Sequence, residues 1–398
     1  MKKMILAALV AAPFLASAAE PENPDSTGFT FTDVKVVPHT PVRDQNKSGT
    51  CWCFAGTSFF ENEILRKTGK QVDLSQMFTV RHCYDDKADK YARMGGTVNF
   101  SQGGSILDVP YVWQNYGAVP LEVYTGLNYG EEKHDHYEVA ELMEGYMKTV
   151  ADPKRKKLST AWKAGLDGIL DAYFGELPEQ FTYQGKTYTP RSFADAMKLD
   201  MADYIPVTSF THHPFYTSFP VEVADNWLWA PYYNVPMEEM KAIVDNAIEN
   251  GYTVVWAADV SEPGFKWPKG YALLPKGKDA ASMEGTELSR WVKLSDKDRE
   301  AERFTITGPC EEEQVVTQES RQKGFDNRET TDDHGMVIVG VATDQEGNRY
   351  YKVQNSWDTN QIYDGYFYVS EPYFLAKTMD ILVHKDAIPA KTRKALKL

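Results

Sequence analysis

The chain has 398 residues, enough for one large domain or two ordinary ones, and its 42% hydrophobic and 25% charged content is that of a globular protein. A net charge of −14 sets its average surface against a polyanion, so no nucleic acid is expected among its partners. The one basic run, Lys154 to Lys157, reads as a solvated connector.

Residues 1–19 read as a secretory signal. Lys2 and Lys3 precede an apolar stretch from Met4 to Leu15, and Ala16-Ser17-Ala18 supplies a small-x-small cleavage site. That stretch is well short of the ~20 residues needed to span a bilayer. The expected product is therefore exported, periplasmic or extracellular, with no membrane contact once the signal is removed. Residues 20–34, with Pro21, Pro24 and Gly28, read as a flexible lead-in.

From 35 to 398 the pattern is that of one α+β domain in three parts: a helical part over about 35–130, an insertion over about 130–235, and a strand-rich part over about 236–390. Helical spacing begins at Cys51 and runs through Ala55, Phe59 and Ile64 to a left-handed cap at Gly69. Asp73 to Gln76 opens a second helix, and Gly103-Gly104 precedes a third from Ile106 to Tyr116. In the insertion, Tyr137 to Val150 and Leu158 to Tyr173 have amphipathic spacing, and Phe181 to Tyr188 alternates about a Gly turn as a small hairpin. Pro236 opens a helix closed by Gly251. Strands are expected at Tyr252 to Val260, Met336 to Ala342, Tyr350 to Asn355 and Tyr366 to Val369, with Pro275 to Asp333 as a long irregular loop.

Three short segments carry chemistry. A thiol attacks an amide only as thiolate, and its ordinary pKa near 8.5 is too high for that at neutral pH. A helix start and a neighbouring imidazolium both lower it. Gln45-Asn46-Lys47-Ser48-Gly49-Thr50-Cys51-Trp52 puts Cys51 at such a start, and Gln45 can return its amide beside the Cys51 N–H to hold an oxyanion. Asp333-His334 and Asn355-Ser356-Trp357 lie on neighbouring strands joined by a short turn. His334 is then the base, Asn355 its orienting acceptor, and Trp357 a cover over their hydrogen bond. The pairs His134/His136 and His212/His213 show no carboxylate or thiol at ligand spacing and read as loop or fold residues, and no metal is expected.

Gln45, Ser48-Gly49-Thr50-Cys51-Trp52, Asp333-His334 and Asn355-Ser356-Trp357 together resemble the papain-like cysteine peptidases. The long Cys51-to-His334 separation, with Tyr116 to Pro120, Gly251 to Val260 and Tyr373 to Pro389, is similar to the bleomycin hydrolase, or aminopeptidase C, branch. The resemblance covers about residues 35–395. It implies a two-lobed papain-like fold with a helical insertion, and hydrolysis of peptide substrates through a thioester without cofactor or metal. It further implies Cys51, His334 and Asn355 as catalytic, Gln45 in the oxyanion hole, and Gly103, Gly104 and Trp357 as substrate-binding. Branch members are cytosolic homo-oligomers that remove N-terminal residues, confined to chain ends by a C-terminal tail in the cleft. Here no counterpart to that tail follows Pro389. An endopeptidase with an open cleft is therefore the rival expectation, and a non-catalytic peptide-binding protein of the same fold the alternative of another class. The acidic loop with Glu311 to Glu313, or Asp332, could substitute for the tail in holding a substrate's α-ammonium, but nothing in the sequence places either at the cleft.

Overall fold

The computed structural model describes residues 28–278, 281, 283–306, 308–309 and 312–398. The expected signal, most of the lead-in, Cys310 and Glu311 lie outside the described residues. The chain opens with strand β1 (Phe31–Val36), then helices α1 (Cys51–Thr68), α2 (Gln76–Arg93) and α3 (Asp108–Asn115). Helices α4 (Tyr137–Val150) and α5 (Ala161–Phe174), hairpin β2 (Phe181–Tyr183) and β3 (Lys186–Tyr188), and α6 (Pro190–Ala196) follow. Then come β4 (Tyr204–Thr208), β5 (Ser218–Pro220), β6 (Pro231–Asn234), α7 (Met237–Glu249), β7 (Val254–Ala258), β8 (Phe265–Lys266) and β9 (Tyr271–Ala272). Helices α8 (Gly285–Trp291), α9 (Asp296–Arg303) and α10 (Gln318–Asp326) lead to β10 (His334–Asp344), β11 (Arg349–Gln354) and β12 (Tyr366–Ser370). The last elements are α11 (Glu371–Lys377), β13 (Thr378–His384) and α12 (Ala390–Leu396).

All strands but β2 and β3 join one mixed sheet in the order β5-β6-β4-β13-β7-β10-β11-β12-β9-β8, with β1 also on β10. Alternation along its central strands sorts side chains onto two faces. Val255, Ala257, Val337 and Leu382 pack with Trp52, Phe59 and Phe60 of α1. Val254, Trp256, Met336 and Ile381 pack with Met240, Ile243 and Val244 of α7. Helices α1 and α7 thus cover opposite faces. Helix α12 is on the α7 side, where Leu396 is buried and Thr392 donates to Glu239 at 2.7 Å. The last described residues therefore sit across the sheet from Cys51.

Helix α1 begins at Cys51, and Gly69 at its end has φ 68°, the left-handed conformation expected there. Three expectations change. The lead-in is a strand from Phe31, since β1 pairs with β10 from Phe31↔Asp344 onward. The block over 130–235 does not stand apart throughout: β4 pairs with β13 and β6 with β4, so 204–234 belongs to the main sheet. The stretch 275–333 carries α8, α9 and α10, polar helices whose exposed faces hide a helical period.

Candidate active site

The loop before α1 is fixed by its own polar groups. Ser48 Oγ donates to the Gln45 carbonyl at 2.8 Å, and the Gly49 N–H donates to Gln102 Oε1 at 2.8 Å. Gln45 is buried; its Nε2 donates to the Ser48 carbonyl at 2.6 Å, and its Oε1 accepts from Ser356 Oγ at 2.6 Å. One amide N–H is thus committed to the loop, the other is the expected oxyanion donor, and the carbonyl end ties the loop to the residue after Asn355. Cys51, as the first helical residue, keeps its backbone N–H outside the helical ladder.

His334 opens β10. Its Nε2 lies 2.7 Å from Asn355 Oδ1, and both residues are buried. The Ser356 N–H donates to the same Oδ1 at 2.8 Å, which identifies that atom as the oxygen. Nε2 therefore carries the proton and Nδ1 the lone pair. The Trp357 ring lies 4.4 Å from the imidazole, with Phe265 and Trp267 edge-on to it at 6.0 and 5.6 Å. Gly335 lets β10 approach the start of α1: a Cβ there would lie 3.1 Å from the Trp52 Cα. Cys51 and His334 line one cavity in consequence.

Desolvation dominates both groups. It pushes the Cys51 thiol up to about 11, helped by Asp332 and Asp225 and opposed by backbone donors at Gly335 and Trp52. It pushes His334 down to about 4 against the Asn355 hydrogen bond. Burial thus favours a neutral thiol beside a neutral imidazole, and the Coulomb attraction of a thiolate–imidazolium pair works against it. Cys51 keeps partial solvent access, so its desolvation is completed only when the cavity is filled.

Of the expected binding residues, Gly104 lines the cavity beside Cys51. Gly103 instead serves as a bed for Asp225, whose Oδ2 lies 2.1 Å from where a Cβ would stand. Trp357 covers the imidazole and is not part of the cavity lining. Four aspartates line the cavity as well: Asp225, Asp332, Asp333 and Asp380. The Asp333 carboxylate is already engaged, accepting from the Val260 and Ser261 N–H groups and from Thr331 Oγ1. Of the acidic residues that could substitute for the tail, Asp332 lines the cavity, whereas the Glu313 carboxylate accepts from the Leu274 N–H and Ser370 Oγ. Asp380 was legible as one carboxylate inside the apolar run of β13; nothing in the sequence marks Asp225.

The other histidines need one correction. A carboxylate does reach His212 and His213: Glu222 accepts from both, at 3.0 and 3.2 Å. Gln322 Oε1 accepts from the Thr211 N–H, so its Nε2 donates to His212 Nδ1 at 3.1 Å and holds the His212 proton on Nε2, facing Glu222. That makes the group a hydrogen-bonded clasp. His134 and His136 lie in the interior against Phe54 and Phe174.

Two sequence families match the chain: "Papain family cysteine protease" over residues 29–161 and "Peptidase C1-like family" over residues 312–398. Aminopeptidase C of Streptococcus thermophilus is 23% identical over 396 residues, covering 88% of this chain and 81% of the relative. Aminopeptidase C of Listeria innocua is 24% identical over 411 residues, covering 92% and 85%. The crystal structure of PepW from a Lactobacillus superposes with a TM-score of 0.68 at 19% identity, covering 94% of this chain and 85% of that one.

Proposed function

The chain belongs to the papain-like cysteine peptidases, and from that membership we propose that it acts as an aminopeptidase through a Cys51–His334–Asn355 site. The observation that carries this reading is the Asn355–His334 hydrogen bond, which leaves Nδ1 basic in the cavity that also holds Cys51. As a peptide carbonyl enters, the thiol proton passes to Nδ1 and the sulfur bonds to the carbonyl carbon. The oxyanion is received by the Cys51 N–H and Gln45 Nε2. His334 returns the proton to the leaving amine as the C–N bond breaks, leaving a thioester. It then takes a proton from water, whose oxygen attacks the thioester, and the thiol and a free carboxylate are regenerated.

The aminopeptidase direction draws on the two named relatives and on the acidic cavity wall. Export, by the N-terminal signal, remains part of the proposal. The test is one substrate pair, the same peptide with free and acetylated N-terminus, with products identified by mass, on the wild type and on Cys51→Ala and Cys53→Ala. The expected result is release of N-terminal residues from the free peptide, lost with Cys51 and kept without Cys53. Turnover by Cys51→Ala would refute the site, and equal internal cleavage of both peptides would make the protein an endopeptidase.

A further inference from the structure

The cavity beside Cys51 and His334 is small and acidic. Its free space is about 20 Å³, room for one water-sized group. Trp52, Ile106 and Val223 form apolar wall; Asp225, Asp332, Asp333 and Asp380 supply carboxylates from three distant parts of the chain, that of Asp333 being taken up by the Val260 and Ser261 N–H groups and Thr331 Oγ1. Asp380 is 4% exposed, and its Oδ1 has no hydrogen-bond partner among the described residues. An unpartnered carboxylate oxygen in the interior is costly and survives where something else satisfies it. Among the described residues none of the four aspartates forms an ion pair. Two cations lie near but are engaged elsewhere: Lys87 donates to the Gly103 and Ser101 carbonyls, and Arg321 to the Ser209, Leu375 and Thr378 carbonyls.

We propose that Asp225, Asp332 and Asp380 form a cation subsite that holds an ammonium group of the substrate on the acyl side of the scissile bond. This rests on the reading of Cys51 as the nucleophile. An ammonium is the size of the space and donates three hydrogens to dispersed acceptors. A metal ion fits less well. Among the described residues only His212, His213 and Glu222 bring three ligand atoms within 4.8 Å of one another, so the aspartates are too far apart to clasp one ion. Asp225 is already held by Asn99 Nδ2 at 2.7 Å, which leaves Asp332 and Asp380 as the more open acceptors. Burial, with repulsion from neighbouring aspartates, pushes Asp332 up to about 7 and Asp380 well above the carboxylate range, so the empty site holds protons that a bound ammonium would displace. The ammonium has two sources, the α-amine of a free N-terminus or the side chain of a lysine one residue further from the bond.

Four coumarylamides separate these sources: leucyl, N-acetyl-leucyl, N-acetyl-lysyl-leucyl and N-acetyl-norleucyl-leucyl. At least one cationic substrate is expected to exceed its neutral counterpart tenfold or more in kcat/KM, and that pair names the source. In Asp332→Asn/Asp380→Asn the ratio should fall to within about threefold of one. A ratio near one in the wild type, or one unchanged in the double variant, overturns the subsite while leaving the peptidase reading intact. Binding of n-butylammonium, followed by NMR, needs no turnover. Saturable binding lost in the double variant, on a protein that cleaves none of the four, would keep the subsite and overturn the peptidase reading. Asp332→Asn alone serves if the double variant misfolds, with a partial fall in the same ratio expected.

Discussion

Truncating Asn355 to alanine removes the acceptor of the 2.7 Å bond from His334 Nε2, in a place sealed by Trp357. The N–H left behind is buried. Such an orphaned donor costs about 1–3 kcal/mol. If that cost falls on the orientation of the imidazole in the cavity it shares with Cys51, kcat/KM drops by roughly 5- to 150-fold, at ~1.4 kcal/mol per factor of ten. His334→Ala removes the base itself and should lose about 10²–10⁴-fold. The assay is kcat/KM on a fluorogenic aminoacyl amide, with thermal melting to show that the fold persists. A third variant sharpens the comparison: Trp357→Ala keeps the acceptor but admits water, and should fall between the wild type and Asn355→Ala. An Asn355→Ala enzyme within twofold of the wild type would show that packing alone orients the imidazole, and the orienting role would be abandoned.

Because burial holds His334 near 4, it stays neutral and able to accept a proton at every pH above that. The acid limb of kcat/KM should therefore lie near pH 4 and not near 6.5; Asn355→Asp, by favouring the imidazolium, should move it upward, and an unmoved limb would count against His334 as the base. Arg321 is 2% exposed and serves three backbone carbonyls, so Arg321→Ala should destabilise by about 3–5 kcal/mol in denaturant titration; a loss under 1 kcal/mol would contradict that assignment. Glu61, Asp108 and Asp332 are each raised to about 7 by burial, so the native state holds protons that the unfolded chain has released. The wild type should therefore lose stability relative to Glu61→Gln as pH rises from about 4.5 to 7, a comparison in which the histidines cancel, and a difference in melting midpoint that stays constant over that window would refute this.

The proposed site was legible because its chemistry demands rare residue types in a fixed order. Gln45, Cys51, His334 and Asn355 each announce themselves in short segments, and the structure brings Cys51 and His334 to one cavity and Asn355 to His334. Helices with one apolar face, such as α4 and α7, were legible from their spacing. What escaped depends on partners remote in sequence. Strand β1 reads as a lead-in because its burial pattern is mostly exposed; only pairing with β10 makes it a strand. Strand β4 carries Pro206, which argues against an interior strand until β13 is seen beside it. Asp225 is an ordinary loop aspartate until Gly103 opens a bed for it.

The pairing of β1 with β10 has a consequence for how the protein is made. Cys51, the proposed nucleophile, leaves the ribosome 283 residues before His334, its proposed base, and the first strand waits for a partner that ends at Asp344. At ~5–20 residues per second that interval is roughly 15–60 s. Through all of it the thiol is present without His334, Asn355 or the β10 edge that narrows the cavity. With the proposed site, a nascent peptidase of this layout would stay chemically silent until the segment from His334 to Asn355 emerges, so the order of its segments would protect the chain from its own activity during synthesis.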